Sequence, residues 1–143
     1  MLFTSSFALL LTTILNLGAA QDCAPGRDYT VVADDTCDSI CAAHSVSNFQ
    51  LANANPGLID ADCDNLQPNQ VLCLGRVGHD CTETHLVVQG DTCYGITNAE
   101  GIELGVFMCN NRNINTDCGN LDTDYVVCVA AEDMGYDPPC TPV

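Results

Sequence analysis

Tyr29-Thr30-Val31-Val32-Ala33-Asp34-Asp35-Thr36-Cys37 comes back later in the chain as His85-Leu86-Val87-Val88-Gln89-Gly90-Asp91-Thr92-Cys93. Laying Cys37 on Cys93, an offset of 56, also matches Ile40 to Ile96 and Val46 to Ile102. Later landmarks fall at an offset of 55: Asn55 meets Asn110, Ile59 meets Ile114, Asp62-Cys63 meets Asp117-Cys118, Asn65-Leu66 meets Asn120-Leu121, and Cys73 meets Cys128. One residue is missing from the second copy. Most of the chain is thus one small unit written twice.

Within the first copy, Tyr29 to Val32 is β-branched and reads as a strand. Thr36 stands at an N-cap position ahead of Cys37, Ile40, Cys41 and His44, whose spacing gives a short helix with a cysteine-bearing inner face. Ser47 caps a second helix through Phe49, Leu51 and Ala52, which Asn55-Pro56-Gly57 terminates. A turn at Gln67-Pro68-Asn69 then leads to a closing strand, Val71-Leu72-Cys73-Leu74. The order is strand, helix, helix, strand.

Residues 1–20 carry no charged side chain, are mostly apolar from Phe7 to Leu17, and end in Gly18-Ala19-Ala20. The pattern is that of a signal peptide cleaved before Gln21, too short in its apolar run for a membrane span. All 11 cysteines lie beyond it, which suits an oxidising compartment and a secreted protein. A unit of roughly 45 to 50 residues is near the size at which a hydrophobic core alone barely offsets chain entropy, so cross-links are needed.

Eight cysteines follow the repeat: Cys23, Cys37, Cys63 and Cys73, then Cys81, Cys93, Cys118 and Cys128. They are separated by 13, 25 and 9 residues in the first set and by 11, 24 and 9 in the second. Two disulfides per unit follow. The connectivity stays open, with Cys23 to Cys63 and Cys37 to Cys73 favoured. Cys41, Cys109 and Cys140 stand outside the repeat and are odd in number, so at least one thiol is free or bridges two molecules.

The chain has 19 acidic residues, three basic ones (Arg27, Arg76 and Arg112) and no lysine, for a net charge of −16. Nucleic acid is excluded as a partner and an anionic membrane surface is disfavoured, since neither can be met without a basic face. Zinc is unsupported, because Cys37, Cys41 and His44 form the one close cluster and have no counterpart in the second copy. Asp60, Asp62 and Asp64 alternate like the start of an EF-hand, but Asn65 replaces the required glycine and Val71 the bidentate glutamate. No metal and no cofactor are expected.

The order of elements and these residues resemble the lysin motif, LysM, in its cysteine-bearing fungal form. That family has a valine-rich first strand, then Gly-Asp-Thr-Cys, Ile, Asn-Pro, Asp-Cys-x-Asn-Leu and an apolar strand ending in cysteine. The first copy supplies Val31-Val32, Asp34-Asp35-Thr36-Cys37, Ile40, Asn55-Pro56, Asp62-Cys63-Asp64-Asn65-Leu66 and Val71-Leu72-Cys73. The second supplies Val87-Val88, Gly90-Asp91-Thr92-Cys93, Ile96, Asn110, Asp117-Cys118-Gly119-Asn120-Leu121 and Val126-Val127-Cys128. The resemblance covers Tyr29 to Leu74 and His85 to Val129.

It implies an α+β chain of two disulfide-stapled βααβ modules in tandem, with module 1 over residues 21–74, a linker over 75–84, module 2 over 85–129 and a tail over 130–143. It also implies binding of chitin or other N-acetylglucosamine oligomers, without catalysis, in a groove between two loops. Carried over, those loops are Asp34, Asp35 and Thr36 with Pro56, Gly57, Leu58 and Ile59, and Gly90, Asp91 and Thr92 with Asn111, Arg112, Asn113 and Ile114. An acetamido sugar needs backbone donors and acceptors, short polar side chains and a small apolar pad, which these loops supply. Two departures stand out: Asp34 replaces the usual glycine, and Asn111 replaces proline.

The expected function is sequestering chitin fragments or shielding a fungal cell wall. The alternative is a cell-wall structural protein cross-linked through its odd cysteine, with weak or vestigial glycan binding. A disulfide-linked or ligand-bridged dimer fits either reading. An enzyme is disfavoured because two such small modules leave no chain to build a deep cleft. A bending linker between two grooves predicts that affinity climbs with oligomer length.

Overall fold

The computed structural model describes residues 22–60 and 63–141. The expected signal peptide and Asp62 lie outside them. No helix among the described residues is long and apolar enough to cross a membrane.

The first unit runs β1 (Asp28–Thr30), α1 (Cys37–His44), α2 (Asn48–Ala54) and β2 (Val71–Cys73). The second repeats the order with β3 (Thr84–Leu86), α3 (Cys93–Glu100), α4 (Leu104–Asn110) and β4 (Val126–Cys128). Each unit closes on a two-stranded antiparallel sheet, with Tyr29 opposite Leu72 and His85 opposite Val127. The fold is α+β, built of two small βααβ units.

Local chemistry sets the helix starts. Thr36 caps α1 through a full capping box, its Oγ1 accepting from the Ser39 amide at 3.1 Å while Ser39 Oγ accepts from the Thr36 amide at 2.9 Å. Ser47 and Thr92 cap α2 and α3 by accepting from Gln50 and Gly95 amides. Glu103 at the start of α4 makes no such bond, so this helix depends on the packing of Phe107, which is fully buried.

Val31, Ile40, Val46, Leu51 and Leu72 form the first core. Val87, Ile96, Phe107, Ile114 and Val127 form the second. Val126 of β4 joins the first core rather than its own unit's, so the two units share apolar surface.

The disulfides pair Cys23 with Cys73, Cys37 with Cys63, Cys81 with Cys128 and Cys93 with Cys118. This corrects the favoured connectivity. Cys23 forms an isolated β-bridge to Arg76, past the end of the closing strand, and its Cα lies 5.6 Å from that of Cys73, whereas Cys37 at the head of α1 faces the loop bearing Cys63 at 6.1 Å. A fifth bridge, Cys109 to Cys140, ties the C-terminal tail to α4. Cys41 is the one free cysteine among the described residues and is 0% exposed, so it cannot cross-link molecules.

The structure moves the missing residue. Asn55 donates from Nδ2 to the carbonyls of Leu51 and Cys73 and accepts from the Cys73 amide. Asn111, not Asn110, makes the same three bonds, to Phe107, Cys128 and the Cys128 amide. The repeat is therefore still at the longer offset here. The deletion falls in the loop after the second helix, where Pro56-Gly57-Leu58 is matched by Arg112-Asn113 alone.

Residues 75–84 do not behave as a free tether. Gln50, on α2, donates to the Leu74 carbonyl at 2.7 Å and to Asp80 Oδ1 at 2.8 Å, and its Oε1 accepts from the Cys81 amide at 2.7 Å. Arg27 also meets Asp80 Oδ1 at 2.9 Å. Gly75 serves close approach rather than bending, since a Cβ there would lie 2.2 Å from Asp80 Oδ1.

Candidate functional site

The loop after β1 is shaped by one carboxylate in each unit. Asp35 Oδ2 accepts from the Val32 amide at 2.8 Å and from the Tyr29 hydroxyl at 2.7 Å. These bonds, the backbone one foremost, hold its pKa below the ordinary value of 3.8. Asp91 Oδ2 is 2.8 Å from His85 Nε2 and 2.9 Å from the Val88 amide, with the same consequence, the His85 bond first. The loop carboxylates thus close their own loops. Asp34 sits at φ 70° where the second unit has Gly90 at φ 95°, so the left-handed turn survives the loss of glycine; aspartate tolerates that region better than most residues.

The loop after the second helix differs between the units. In the first, Pro56 and Gly57 are exposed and Leu58 and Ile59 half-buried. In the second, Asn111 is 0% and Ile114 4% exposed. Asn111 therefore holds the backbone and Ile114 fills the core.

Arg112 is bound by the tail. It donates from Nε to the Cys109 carbonyl at 3.2 Å, from Nη2 to the Tyr136 carbonyl at 2.7 Å and from Nη1 to the Pro138 carbonyl. Asn110 adds bonds to the Glu132 carbonyl at 2.9 Å and the Met134 amide at 2.8 Å. The second unit's loop is occupied by its own chain, leaving Asn113 exposed.

A cleft of about 410 Å³ opens where the units meet. The first unit lines it with Thr36, Cys37, Asp38, Asn48, Phe49, Ala52, Ile59, Asp60 and Cys63, and the second with Asn113 and Tyr125. Of the residues singled out from sequence, Thr36, Ile59 and Asn113 come together here. Asp34, Asp35, Pro56, Gly57 and Leu58 shape or flank the first unit's loops, whereas Gly90, Asp91 and Thr92 form the matching loop of the second.

Phe49, Asn48, Asp38, Asp60 and Tyr125 line the cleft from outside the two loops read from the sequence. Asn48 locks the junction: its Nδ2 donates to Asp38 Oδ1 at 2.6 Å, and its Oδ1 accepts from the Val126 amide at 2.7 Å, across 78 positions. Apolar floor, short polar groups and a size above about 300 Å³ suit a small amphiphilic ligand. No group of His, Cys, Asp and Glu able to hold a metal ion occurs among the described residues.

Comparison with known proteins agrees with this architecture. Residues 29–75 match the LysM domain family. The chain is 32% identical over 135 residues to the secreted LysM effector LysM1 of Trichophyton rubrum, covering 78% of this chain and 52% of that protein. It is 27% identical to the secreted LysM effector ldpA of Aspergillus fumigatus, covering 82% and 38%, and 30% identical to the non-secreted LysM effector LysM19 of Penicillium expansum, covering 77% and 9%. The chain spans about half or less of the length of these relatives. Among solved structures it is similar to the spore cortex-lytic enzyme SleL of Bacillus megaterium at a TM-score of 0.36 and 17% identity, covering 81% of this chain and 23% of that one, a likeness too slight to carry an argument. Residues 29–75, which hold the first βααβ unit, are thus a LysM domain, and the chain is similar to fungal LysM effectors over most of its length.

Proposed function

We propose that this is a secreted, non-catalytic carbohydrate-binding protein that takes N-acetylglucosamine oligomers in the cleft between its units, the second of which is also a LysM module. The observation that carries the reading is the placement of Thr36 and Ile59, from the two loops the family uses, in one cleft with the Phe49 and Tyr125 rings. Rings and aliphatic groups cover a sugar's apolar face, while Thr36, Asn48 and Asn113 offer donors and acceptors for hydroxyl and acetamido groups. Five disulfides fit an extracellular setting. Sequestering chitin fragments or coating a fungal wall are the roles that such binding serves.

A pull-down on insoluble chitin, cellulose and peptidoglycan, followed by calorimetry with chito-oligomers, tests this. Retention on chitin, with Tyr125→Ala lowering oligomer affinity about three- to tenfold, is expected from the loss of one stacking ring. Equal retention on all three polymers, or none on chitin, overturns the reading.

A further inference from the structure

We infer that the cleft prefers a partly deacetylated polymer, one in which a glucosamine ammonium stands among acetylated sugars. This rests on the sugar-binding reading above. Asp38 and Asp60 line the cleft together with its apolar surfaces. A second cavity of about 360 Å³ shares Thr36 and Asp38 with it and is bounded by Leu86 and Asp124 of the second unit. Three carboxylates thus face this continuous surface, and neither cavity is lined by an arginine or histidine.

The basic groups that would balance them are committed elsewhere or absent. The chain has no lysine, Arg27 is paired with Asp80, Arg112 is bound to the tail, and Arg76 lines neither cavity. Asp38 is oriented by the bond from Asn48, on the wall against which the second unit packs.

A wholly neutral sugar entering here removes water from carboxylates and returns no charge, which is unfavourable. An ammonium on one sugar returns a charge-assisted hydrogen bond. The Phe49, Ile59 and Tyr125 surfaces still favour acetylated neighbours, whose methyl groups need an apolar pad. The chemistry therefore selects a mixed polymer over either extreme.

Calorimetry on the intact protein with oligomers of equal length, fully acetylated, half acetylated and fully deacetylated, at mildly acidic pH, tests this. The half-acetylated oligomer is expected to bind about three- to tenfold tighter than the fully acetylated one at low salt, as for one or two partly exposed ion pairs. The gap shrinks in about 1 M salt, where the Debye length is about 3 Å. Asp60→Asn and Asp124→Asn narrow it, whereas Asp28→Asn, which removes the same charge from exposed β1 outside both cavities, leaves it in place; because Asp124 sits at φ 72°, asparagine keeps its backbone.

Equal or tighter binding of the fully acetylated oligomer overturns the inference and leaves the sugar-binding reading standing. Binding to none of the three overturns both. A gap narrowed as much by Asp28→Asn, or tightest binding of the fully deacetylated oligomer, assigns the attraction to overall charge and overturns the site.

Discussion

The hydroxyl of Tyr136 donates to Oε1 of Gln50 at 2.7 Å, joining the C-terminal tail to the second helix of the first unit. Gln50 is thereby saturated: Oε1 accepts from Tyr136 and Cys81, and Nε2 donates to Leu74 and Asp80. Tyr136 is 2% exposed and packs edge-on against Phe49, with ring centroids 5.1 Å apart, on the element that lines the cleft. The tail thus braces the junction between units.

Tyr136→Phe is expected to cost about 1 kcal/mol, the net worth of a buried hydrogen bond, and Tyr136→Ala about 3 to 5 kcal/mol. Chemical denaturation measures both. The alanine variant should also lower oligomer affinity, because Phe49 loses its support. A loss of stability with affinity unchanged would mean that the tail stabilises the chain without shaping the cleft.

Asn55 and Asn111 each satisfy three buried backbone groups that close their unit. Replacing either by alanine strands those groups away from water, at a cost of about 3 kcal/mol. Both substitutions are expected to be similarly destabilising by thermal unfolding. A mild effect of Asn111→Ala beside a strong effect of Asn110→Ala would restore the register read from sequence.

Much of the fold was legible because its signals are local. Thr36, Ser47 and Thr92 cap helices at the expected places, and the closing strands begin at Val71 and Val126 in apolar runs, whereas β1 and β3 end at Thr30 and Leu86, just before the valine pairs Val31-Val32 and Val87-Val88. The Asn55-to-Asn110 match failed because two adjacent asparagines are interchangeable to a pattern, while only the bonding to Cys128 distinguishes them. The cleft was half legible. Thr36 and Ile59 announce themselves through the motif, but Asn48, Phe49 and Tyr125 acquire a role only when the units pack together, a relationship with no periodic signature. The partner of Cys109 was hidden for the same reason, since the tail resembles no element of the repeat.

Reduction should unfold both units. Each carries two bridges, and each bridge is worth about 2 to 4 kcal/mol, which rivals the whole stability of so small a domain. Circular dichroism with and without reductant checks this, and an unchanged spectrum after complete reduction would show that the cores suffice. Peptide mapping under non-reducing conditions should recover Cys23 with Cys73 and Cys37 with Cys63.

Acid should destabilise the chain through its loop carboxylates. Asp35 and Asp91 have folded pKa values depressed below 3.8, so the stability they contribute is complete above that value and is lost as pH falls through the depressed ones. The melting temperature is expected to hold from neutral to mildly acidic pH and to drop below about pH 4, the unfolded carboxylate range. Asp91→Asn should flatten part of that drop. An acid limb of identical depth in the variant would place the titration elsewhere.

Stoichiometry separates one composite cleft from two independent grooves. If each unit bound sugar by its own loops, a chain would take two short oligomers, and a long one held by both would gain from an effective concentration in the millimolar range. The second unit's loop is instead held by Arg112 and the Cys109 to Cys140 bridge, and Asn111 and Ile114 are buried. Its contributions, Asn113 and Tyr125, face the cleft shared with the first unit. Calorimetry is therefore expected to give one short oligomer per chain and an affinity that levels off once the cleft is filled, with the length series showing no further bivalent gain. Thr36→Ala should weaken binding, whereas Thr92→Ala, in a loop outside the cleft, should leave it within about twofold, since surface substitutions away from a site stay within about 0.5 kcal/mol. Two oligomers per chain, or a Thr92→Ala loss equal to that of Thr36→Ala, would show that the second unit's loops bind sugar on their own.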